Sequence, residues 1–362
     1  MKKYFVPNST NVSVHRKFKS LTHRLIQQEP EFQEILKETK NNILKIVTDQ
    51  NSESNYDVVF FPLSGSGSAE SVLSSLTNKI LCVSNGEYGR RMYATSLIYN
   101  KFVQFLENES DDVYSIDYQK IENKLEHGGF KYLTMVHVEE SSGILNDINK
   151  VGKMCAKNNT KFIVDACSSI GAISINMKKM NITALIGTSE KNIEAVPGIS
   201  FIVARKDFLE SLNSKSKTSY LSLKRQYKFQ NKNNRIRFTI PMYSFLSLFH
   251  ETQNLIKEGV ENRYKRYSEN WEILINKMQK IGFDPVVPED DQSKLLTSFN
   301  APLEDNYEFE NLNDFLSNDG FVIYPGKINE METFRISTIG EIKQYEIGAL
   351  VNSILDYVQS IN

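Results

Sequence analysis

Lys161-Phe162-Ile163-Val164-Asp165-Ala166 is an apolar run that ends in a carboxylate. Its apolar residues are continuous rather than alternating, as in a strand covered on both faces, which is how the strands of a parallel sheet read. Six further runs share this character: 58–63, 80–83, 102–105, 133–138, 184–186 and 199–203. Helical patterns fall between them at 68–75, 90–98, 118–125, 148–158 and 208–212, supplying the crossovers that parallel neighbours require. The alternation predicts an α/β fold with one large, mostly parallel seven-stranded sheet. Ligands of such sheets bind beyond the carboxyl ends of the strands, where Asp165 is placed.

The rhythm changes after residue 242. Residues 243–278 read as almost uninterrupted helix, followed by strand candidates at 295–298, 321–324 and 333–337 and a final helix at 343–359. This predicts a large α/β domain over 16–245 and a smaller α+β domain over 246–362, joined by the N-terminal arm 1–15. The Lys- and Asn-rich stretch 214–234 reads as a mobile surface segment. Basic and acidic residues nearly cancel, 43 against 44, so no global field draws in nucleic acid or an anionic membrane. No segment has the length and apolarity of a membrane span or signal peptide. Cys82, Cys155 and Cys167 show no metal-ligand spacing and no disulfide framework, and neither do His23, His137 and His250 suggest a metal site. A soluble, cytoplasmic protein without a structural metal is expected.

Lys191 lies in Ser189-Glu190-Lys191-Asn192-Ile193-Glu194-Ala195-Val196-Pro197-Gly198, 26 residues beyond Asp165. A lysine amine that condenses with an aldehyde and a carboxylate that keeps a ring nitrogen protonated are what pyridoxal phosphate chemistry requires. Three strand-to-helix junctions add to the pair. Ser64-Gly65-Ser66-Gly67-Ser68 can bring helix N–H groups close to a phosphate, although such a turn is equally a plain N-cap. Ser84-Asn85-Gly86-Glu87-Tyr88-Gly89-Arg90 can present Tyr88 to a flat ligand or simply pack it. Val136-His137-Val138-Glu139-Glu140-Ser141-Ser142-Gly143 brings polar groups to the same rim.

Taken in order, these segments resemble the class V aminotransferases of fold type I. The resemblance covers nearly the whole chain and is strongest to the 2-aminoethylphosphonate:pyruvate branch. The C-terminal half also carries Arg237-Phe238-Thr239-Ile240-Pro241, Gly320-Phe321-Val322-Ile323-Tyr324-Pro325-Gly326-Lys327 and Phe334-Arg335-Ile336-Ser337-Thr338-Ile339-Gly340. The resemblance implies pyridoxal 5'-phosphate as cofactor, Lys191 as its covalent anchor and proton shuttle, and Asp165 as partner of its ring nitrogen. It further implies that Ser66, Gly67 and Ser68 bind the cofactor phosphate and that Tyr88 stacks on the ring. Thr239 would reach the phosphate of a neighbouring subunit, making a homodimer with shared active sites. Arg335 would grip the carboxylate of the amino donor or keto-acid acceptor, with Lys327 as added positive charge. The implied reaction is a ping-pong transfer between 2-aminoethylphosphonate and pyruvate.

Three positions depart from the family pattern. Glu190 stands where an amide or similar polar residue is usual, Glu140 where serine or threonine is usual, and Val6-Pro7-Asn8-Ser9-Thr10 where a glycine-containing turn is usual. They leave open a serine:pyruvate or alanine:glyoxylate type of transaminase on the same scaffold. A desulfurase would need a cysteine on a mobile loop, whereas all three cysteines fall in or beside core elements.

Overall fold

A computed structural model describes residues 2–7, 11, 25–49, 53–108, 115–213, 217–302, 307–328 and 331–361, the side chains of Glu53, Lys327, Ile328 and Met331 excepted. His23 and Asn8-Ser9-Thr10 therefore lie outside the described residues. The large sheet has seven strands: β1 (Tyr56–Phe61), β2 (Ile80–Val83), β3 (Val103–Leu106), β4 (Tyr132–Val136), β5 (Lys161–Asp165), β6 (Ile182–Thr188) and β7 (Ser200–Arg205). Their spatial order is β1-β7-β6-β5-β4-β2-β3, and β7 alone runs antiparallel to its neighbours. Each apolar run of the sequence lands on one of these strands, which confirms the α/β expectation.

Period-two geometry divides every strand between two cores. Val58, Phe60, Leu81, Leu133, Phe162, Val164, Phe201 and Val203 face one layer, and Val59, Phe61, Ile80, Cys82, Ile163, Ile186 and Ile202 the other. The helices in chain order are α1 (Pro30–Val47), α2 (Gly65–Leu73), α3 (Glu87–Tyr99), α4 (Tyr118–Gly128), α5 (Ile148–Lys157), α6 (Lys206–Ser211), α7 (Leu223–Asn233) and α8 (Met242–Glu258). Helices α1, α4, α5 and α8 cover the first layer, and α2, α3, α6 and α7 the second. Helix α1, which the strand-by-strand reading does not include, opens with Pro30 and buries Phe32 against Phe245 of α8, ring centroids 5.3 Å apart.

The stretch 214–234 needs correction where it is described. Residues 214–216 lie outside the described set, but α7 is a regular helix that buries Leu223 and Tyr227. Its role is to close the sheet. Strand β1 is an edge strand, and Gln226 and Gln230 supply the hydrogen bonds that a neighbouring strand would have made: Gln226 Nε2 donates to Phe60 O (2.9 Å), Gln230 Nε2 to Val58 O (2.6 Å), and Phe60 N–H to Gln230 Oε1 (3.1 Å). Polar side chains placed at backbone spacing have no apolar periodicity, so the sequence reads as surface.

The helix pattern of 243–278 is broken at Gly259, whose φ of 83° ends α8 and starts α9 (Val260–Lys280). Beyond it lie β8 (Leu296–Asn300), α10 (Phe309–Asn318), β9 (Tyr324–Ile328), β10 (Met331–Ser337) and α11 (Gln344–Ile361). The three strands form a sheet in the order β8-β10-β9. Trp271, Leu274, Phe299, Phe334, Leu350 and Ile354 fill the core of this second body. Phe5 joins that core, and Lys3–Tyr4 pairs parallel with Phe321–Val322. Since α8 packs into the core of the large sheet, we propose the division between the bodies at Gly259 rather than at residue 246. No helix among the described residues is long and apolar enough to cross a membrane.

Replacing Gln230 by alanine strips partners from two buried backbone groups of β1. The expected loss of unfolding free energy is about 2–3 kcal/mol, at a cost of roughly 1–3 kcal/mol for each unsatisfied group, measured by equilibrium denaturation in urea. A change under about 0.5 kcal/mol, the scatter of an ordinary surface substitution, would contradict the edge-closing role.

Candidate active site

The carboxyl ends of β1, β4, β5 and β6 surround a cavity of about 180 Å³ lined by Ser64, Gly65, Ser66, Tyr88, Arg91, Val136, Glu140, Asp165, Cys167, Ser168, Thr188, Glu190 and Lys191. A larger cleft of about 520 Å³ opens at the opposite end of the strands, near Lys178 and Arg205, and none of the predicted site residues lines it. The smaller cavity gathers Ser66, Tyr88, Asp165 and Lys191 of the predicted site residues.

Helix α2 starts at Gly65, three residues before the sequence pattern places it. Ser64 O accepts the N–H groups of Gly67 (3.0 Å) and Ser68 (3.4 Å), so Gly65 and Ser66 head the helix. A Cβ on Gly65 would come within 2.6 Å of Cys167 Sγ, so a side chain there would displace the thiol at the end of β5. Of the predicted trio, Ser66 lines the cavity while Gly67 and Ser68 do not. Gly67 is pressed against Leu63, where a Cβ would lie at 2.8 Å, and the Ser68 hydroxyl is fully buried against Ser200 Oγ at 2.7 Å. Ser64-Gly65-Ser66, rather than Ser66-Gly67-Ser68, therefore meets the cavity, because the helix begins earlier than its apolar residues do.

Helix α3 is aimed by Glu139. This buried carboxylate accepts the N–H groups of Tyr88 (3.1 Å) and Gly89 (3.1 Å) and the Ser141 hydroxyl (2.6 Å). Burial pushes its pKa up, while these hydrogen bonds pull the other way. Tyr88 is thereby fixed with its ring in the cavity, Arg91 stacking over it at 4.4 Å. Asp165 ends β5 and accepts the Cys167 N–H at 3.0 Å. His137 lies behind, its Nδ1 2.9 Å from Ser169 Oγ, and burial lowers its pKa to about 3, so it stays neutral. Cys167 borders the cavity, but burial and the Asp165 charge raise its thiol well above the ordinary value, which leaves it protonated and a poor nucleophile.

Lys191 sits in the turn after β6. Its Nζ donates to Glu140 Oε2 and to Ser168 Oγ (2.8 Å), and it lies 5.6 Å from the Tyr88 ring centre. The Glu190 carboxylate accepts the hydroxyls of Thr188 and Ser189. Arg335, on β10, crosses from the second body: Nη1 donates to Glu140 O (3.0 Å), Nε and Nη2 to Pro325 O (2.9 and 2.8 Å), and the guanidinium covers the Tyr324 ring at 4.6 Å. These bonds use three of its five N–H groups. Thr239 is exposed and does not line the cavity. The Lys327 side chain is outside the described residues.

The lysine turn is held from below by residues that the sequence does not single out. Glu194, with φ of 64°, accepts the Tyr267 hydroxyl (2.6 Å) and Arg266 Nη2 (3.1 Å). Arg263 donates to Asn192 O (2.6 Å) and pairs with Glu258 (2.6 Å). Tyr267, Arg266 and Arg263 come from α9, and Glu258 at the end of α8 pairs with both arginines. In sequence they read as an ordinary charged helix face. Arg91, Ser168 and Thr188 also line the cavity, although the sequence gives them no role of their own.

A model of the aminotransferase class-V family matches residues 6–339. A 2-aminoethylphosphonate–pyruvate transaminase of Bacillus cereus is 34% identical over 330 residues, covering 90% of this chain and 89% of the relative. A bifunctional phosphonoacetaldehyde hydrolase/aminoethylphosphonate transaminase of Clostridioides difficile is 34% identical over 334 residues; these are 91% of this chain but only 52% of that longer protein. Among solved structures, the ureidoglycine–glyoxylate aminotransferase of Bacillus subtilis superposes with a TM-score of 0.89 at 19% identity, covering 100% of this chain and 94% of that one. The alanine–glyoxylate aminotransferase of Nostoc sp. gives 0.88 at 18% identity, with coverage of 99% and 95%. These likenesses establish the fold.

The clamp beneath the lysine turn is testable. Tyr267→Phe removes one hydrogen bond to a buried carboxylate and is expected to cost about 1.5–3 kcal/mol. It should also speed amide hydrogen exchange across 189–196 relative to the rest of β6, read by mass spectrometry. Unchanged stability and unchanged exchange in that segment would refute the clamp.

Proposed function

The chain belongs to the class-V aminotransferases, a family of pyridoxal-phosphate-dependent enzymes, and we propose that it moves an amino group between 2-aminoethylphosphonate and pyruvate in two half-reactions. The names of the relatives support the donor and acceptor. At the site, one observation carries the reading: Lys191, Asp165 and Tyr88 line a single cavity at the carboxyl edge of the sheet.

The residues present fit pyridoxal phosphate. The head of α2 is bare backbone at Gly65 with hydroxyls at Ser64 and Ser66, which suits a phosphate held by helix N–H groups. Asp165 supplies the carboxylate for the ring nitrogen, and Tyr88 a flat wall. Bound there, the cofactor supplies an electron-accepting ring for the carbanion left when a substrate C–H bond breaks. Lys191 Nζ provides the attaching amine and, once displaced by the donor's amine, moves a proton at the substrate carbon. Its turn is held by Arg263 and Glu194, so the amine returns to one position in both halves. Arg335 has two N–H groups left, on different nitrogens, for a carboxylate or phosphonate. Glu190 lines the same cavity, and its carboxylate accepts the Thr188 and Ser189 hydroxyls.

In this reading Thr239 serves the neighbouring copy, and the active protein is a homodimer with shared sites. The exposed Phe238 beside it, packed on Tyr220 at 6.1 Å, supports a covered face there. Three buried free cysteines suit a cytoplasmic setting. A second reading, a small amino acid such as alanine or serine as donor, is favoured by the three carboxylates lining the cavity, Glu140, Asp165 and Glu190, which oppose a dianionic phosphonate.

With pyruvate as acceptor, kcat/KM for 2-aminoethylphosphonate is expected to exceed that for serine by at least about tenfold, roughly 1.4 kcal/mol. The reverse ranking would move the function to the amino-acid transaminase. Arg335→Ala is expected to lower kcat/KM for pyruvate by about 100-fold or more, the loss of one or two charge-assisted bonds of roughly 1.5–3 kcal/mol each. An unchanged value would remove Arg335 from the substrate pocket.

A further inference from the structure

We propose that Glu140 is the proton partner of Lys191: it keeps the lysine as an ammonium in the cofactor-free protein and receives its proton when the amine must attack. The inference rests on the reading of Lys191 as the attaching amine. The Glu140 carboxylate is the junction of the cavity. Oε2 accepts from Lys191 Nζ and from the Ser168 hydroxyl (2.7 Å), and Oε1 accepts from the Tyr88 hydroxyl at 3.2 Å. Lys191 also donates to Ser168 Oγ, so nitrogen, hydroxyl and carboxylate form a closed triangle. The main-chain carbonyl of the same residue holds Arg335. The side chains of Lys191 and Glu140 are only 15% and 6% exposed.

A buried ion pair adds little net stability by itself, because removing two charges from water offsets their attraction. The placement has a chemical use instead. An ammonium cannot attack a carbonyl, so a proton acceptor must lie within hydrogen-bond reach of the amine. Among the described residues, Glu140 is the carboxylate hydrogen-bonded to Nζ. The transfer breaks one Nζ–H bond and forms one O–H bond on Oε2, turning the ion pair into a neutral amine and a neutral acid. Ser168 and Tyr88 remain as donors to the carboxylate when the proton returns.

Other charged and titratable groups face the amine: Tyr88 and Arg91 from α3, Asp165 and Cys167 from the end of β5, Glu190 from its own turn and Arg335 from β10. Asp165 Oδ1 accepts the Cys167 N–H and Glu190 Oε2 the Thr188 and Ser189 hydroxyls, and neither carboxylate is hydrogen-bonded to Nζ. On Lys191 burial, the largest single effect, disfavours the ammonium, but the Glu140 charge and hydrogen bond, with smaller contributions from Cys167 and Tyr88, together raise the amine's pKa. On Glu140 burial is again the largest effect and favours the acid, but the Lys191 charge and hydrogen bond, the Ser168 hydroxyl and Arg335 together lower the carboxyl. The sign for a variant follows. With the charge at 140 removed, burial remains and the lysine should deprotonate at lower pH.

The test uses cofactor-free protein, wild type and E140Q. Each is mixed with pyridoxal phosphate from about pH 6 to pH 11, a range spanning the ordinary lysine value. The adduct is trapped with borohydride, and the fraction modified at Lys191 is read by peptide mass spectrometry. The midpoint of Lys191 modification should fall in E140Q by about 1–3 pH units, the usual reach of one neighbouring opposite charge. E140D, which retains the charge, should stay nearer to wild type. If E140Q does not fold, E140S removes the same charge and carries the same expectation. Modification of Lys191 with one midpoint in wild type and the neutral variant overturns the inference alone. No modification of Lys191 at any pH overturns the reading of the lysine, and this inference with it.

Discussion

The carboxylate of Glu194, sealed between Tyr267 and Arg266 of α9, is the contact on which the geometry of the site depends. Its side chain is 0% exposed, and that of Arg263 beside it 1%. Charges this deep persist only when their hydrogen-bonding capacity is met, and here a tyrosine, two arginines, Glu258 and the Asn192 carbonyl meet it. The clamp fixes the turn that carries Lys191. It also ties that turn to the helix on which the second body is built, so the two cores cannot shift without disturbing the lysine.

A second seam reinforces the first. The loop after Glu139 lies against β8, where Ser298 Oγ donates to Ser141 O at 3.0 Å and Ser293 N–H to Gly143 O at 2.8 Å. A Cβ on Gly143 would fall 2.6 Å from Leu296 O, and its φ of 93° also favours glycine. The same loop carries Glu139 and Glu140 side by side. One turns down to the N-terminus of α3 and is spent on structure; the other turns up to Lys191. Adjacent residues of one type thus acquire different work from their surroundings alone. The Arg335 bond to the Glu140 carbonyl then joins the second body to the cavity wall of the first.

Much of this was legible in the chain. Continuous apolar runs revealed all seven strands of the large sheet because burial on both faces leaves little room for polar residues. Lys191, Asp165, Tyr88 and Ser66 fall into one cavity as their motifs implied. What escaped notice did so for definable reasons. Gln226 and Gln230 act through amides at backbone spacing, and Arg263, Arg266 and Tyr267 act through long-range pairs, and neither leaves a periodic trace. Gly65 rather than Gly67 meets the cavity because the first turn of α2 is set by the close approach of Cys167, a tertiary contact. Thr239 lies exposed, outside the cavity.

The central claim is that this cavity accepts the amino group of 2-aminoethylphosphonate through a lysine-anchored cofactor. The most direct measurement is an absorbance spectrum of the purified protein loaded with pyridoxal phosphate, before and after adding 2-aminoethylphosphonate without any keto acid. The account predicts stoichiometric loss of the longer-wavelength band with growth of the shorter-wavelength amine form of the cofactor, reversed on adding pyruvate. A spectrum unmoved by 2-aminoethylphosphonate, yet converted by alanine or serine, would contradict it.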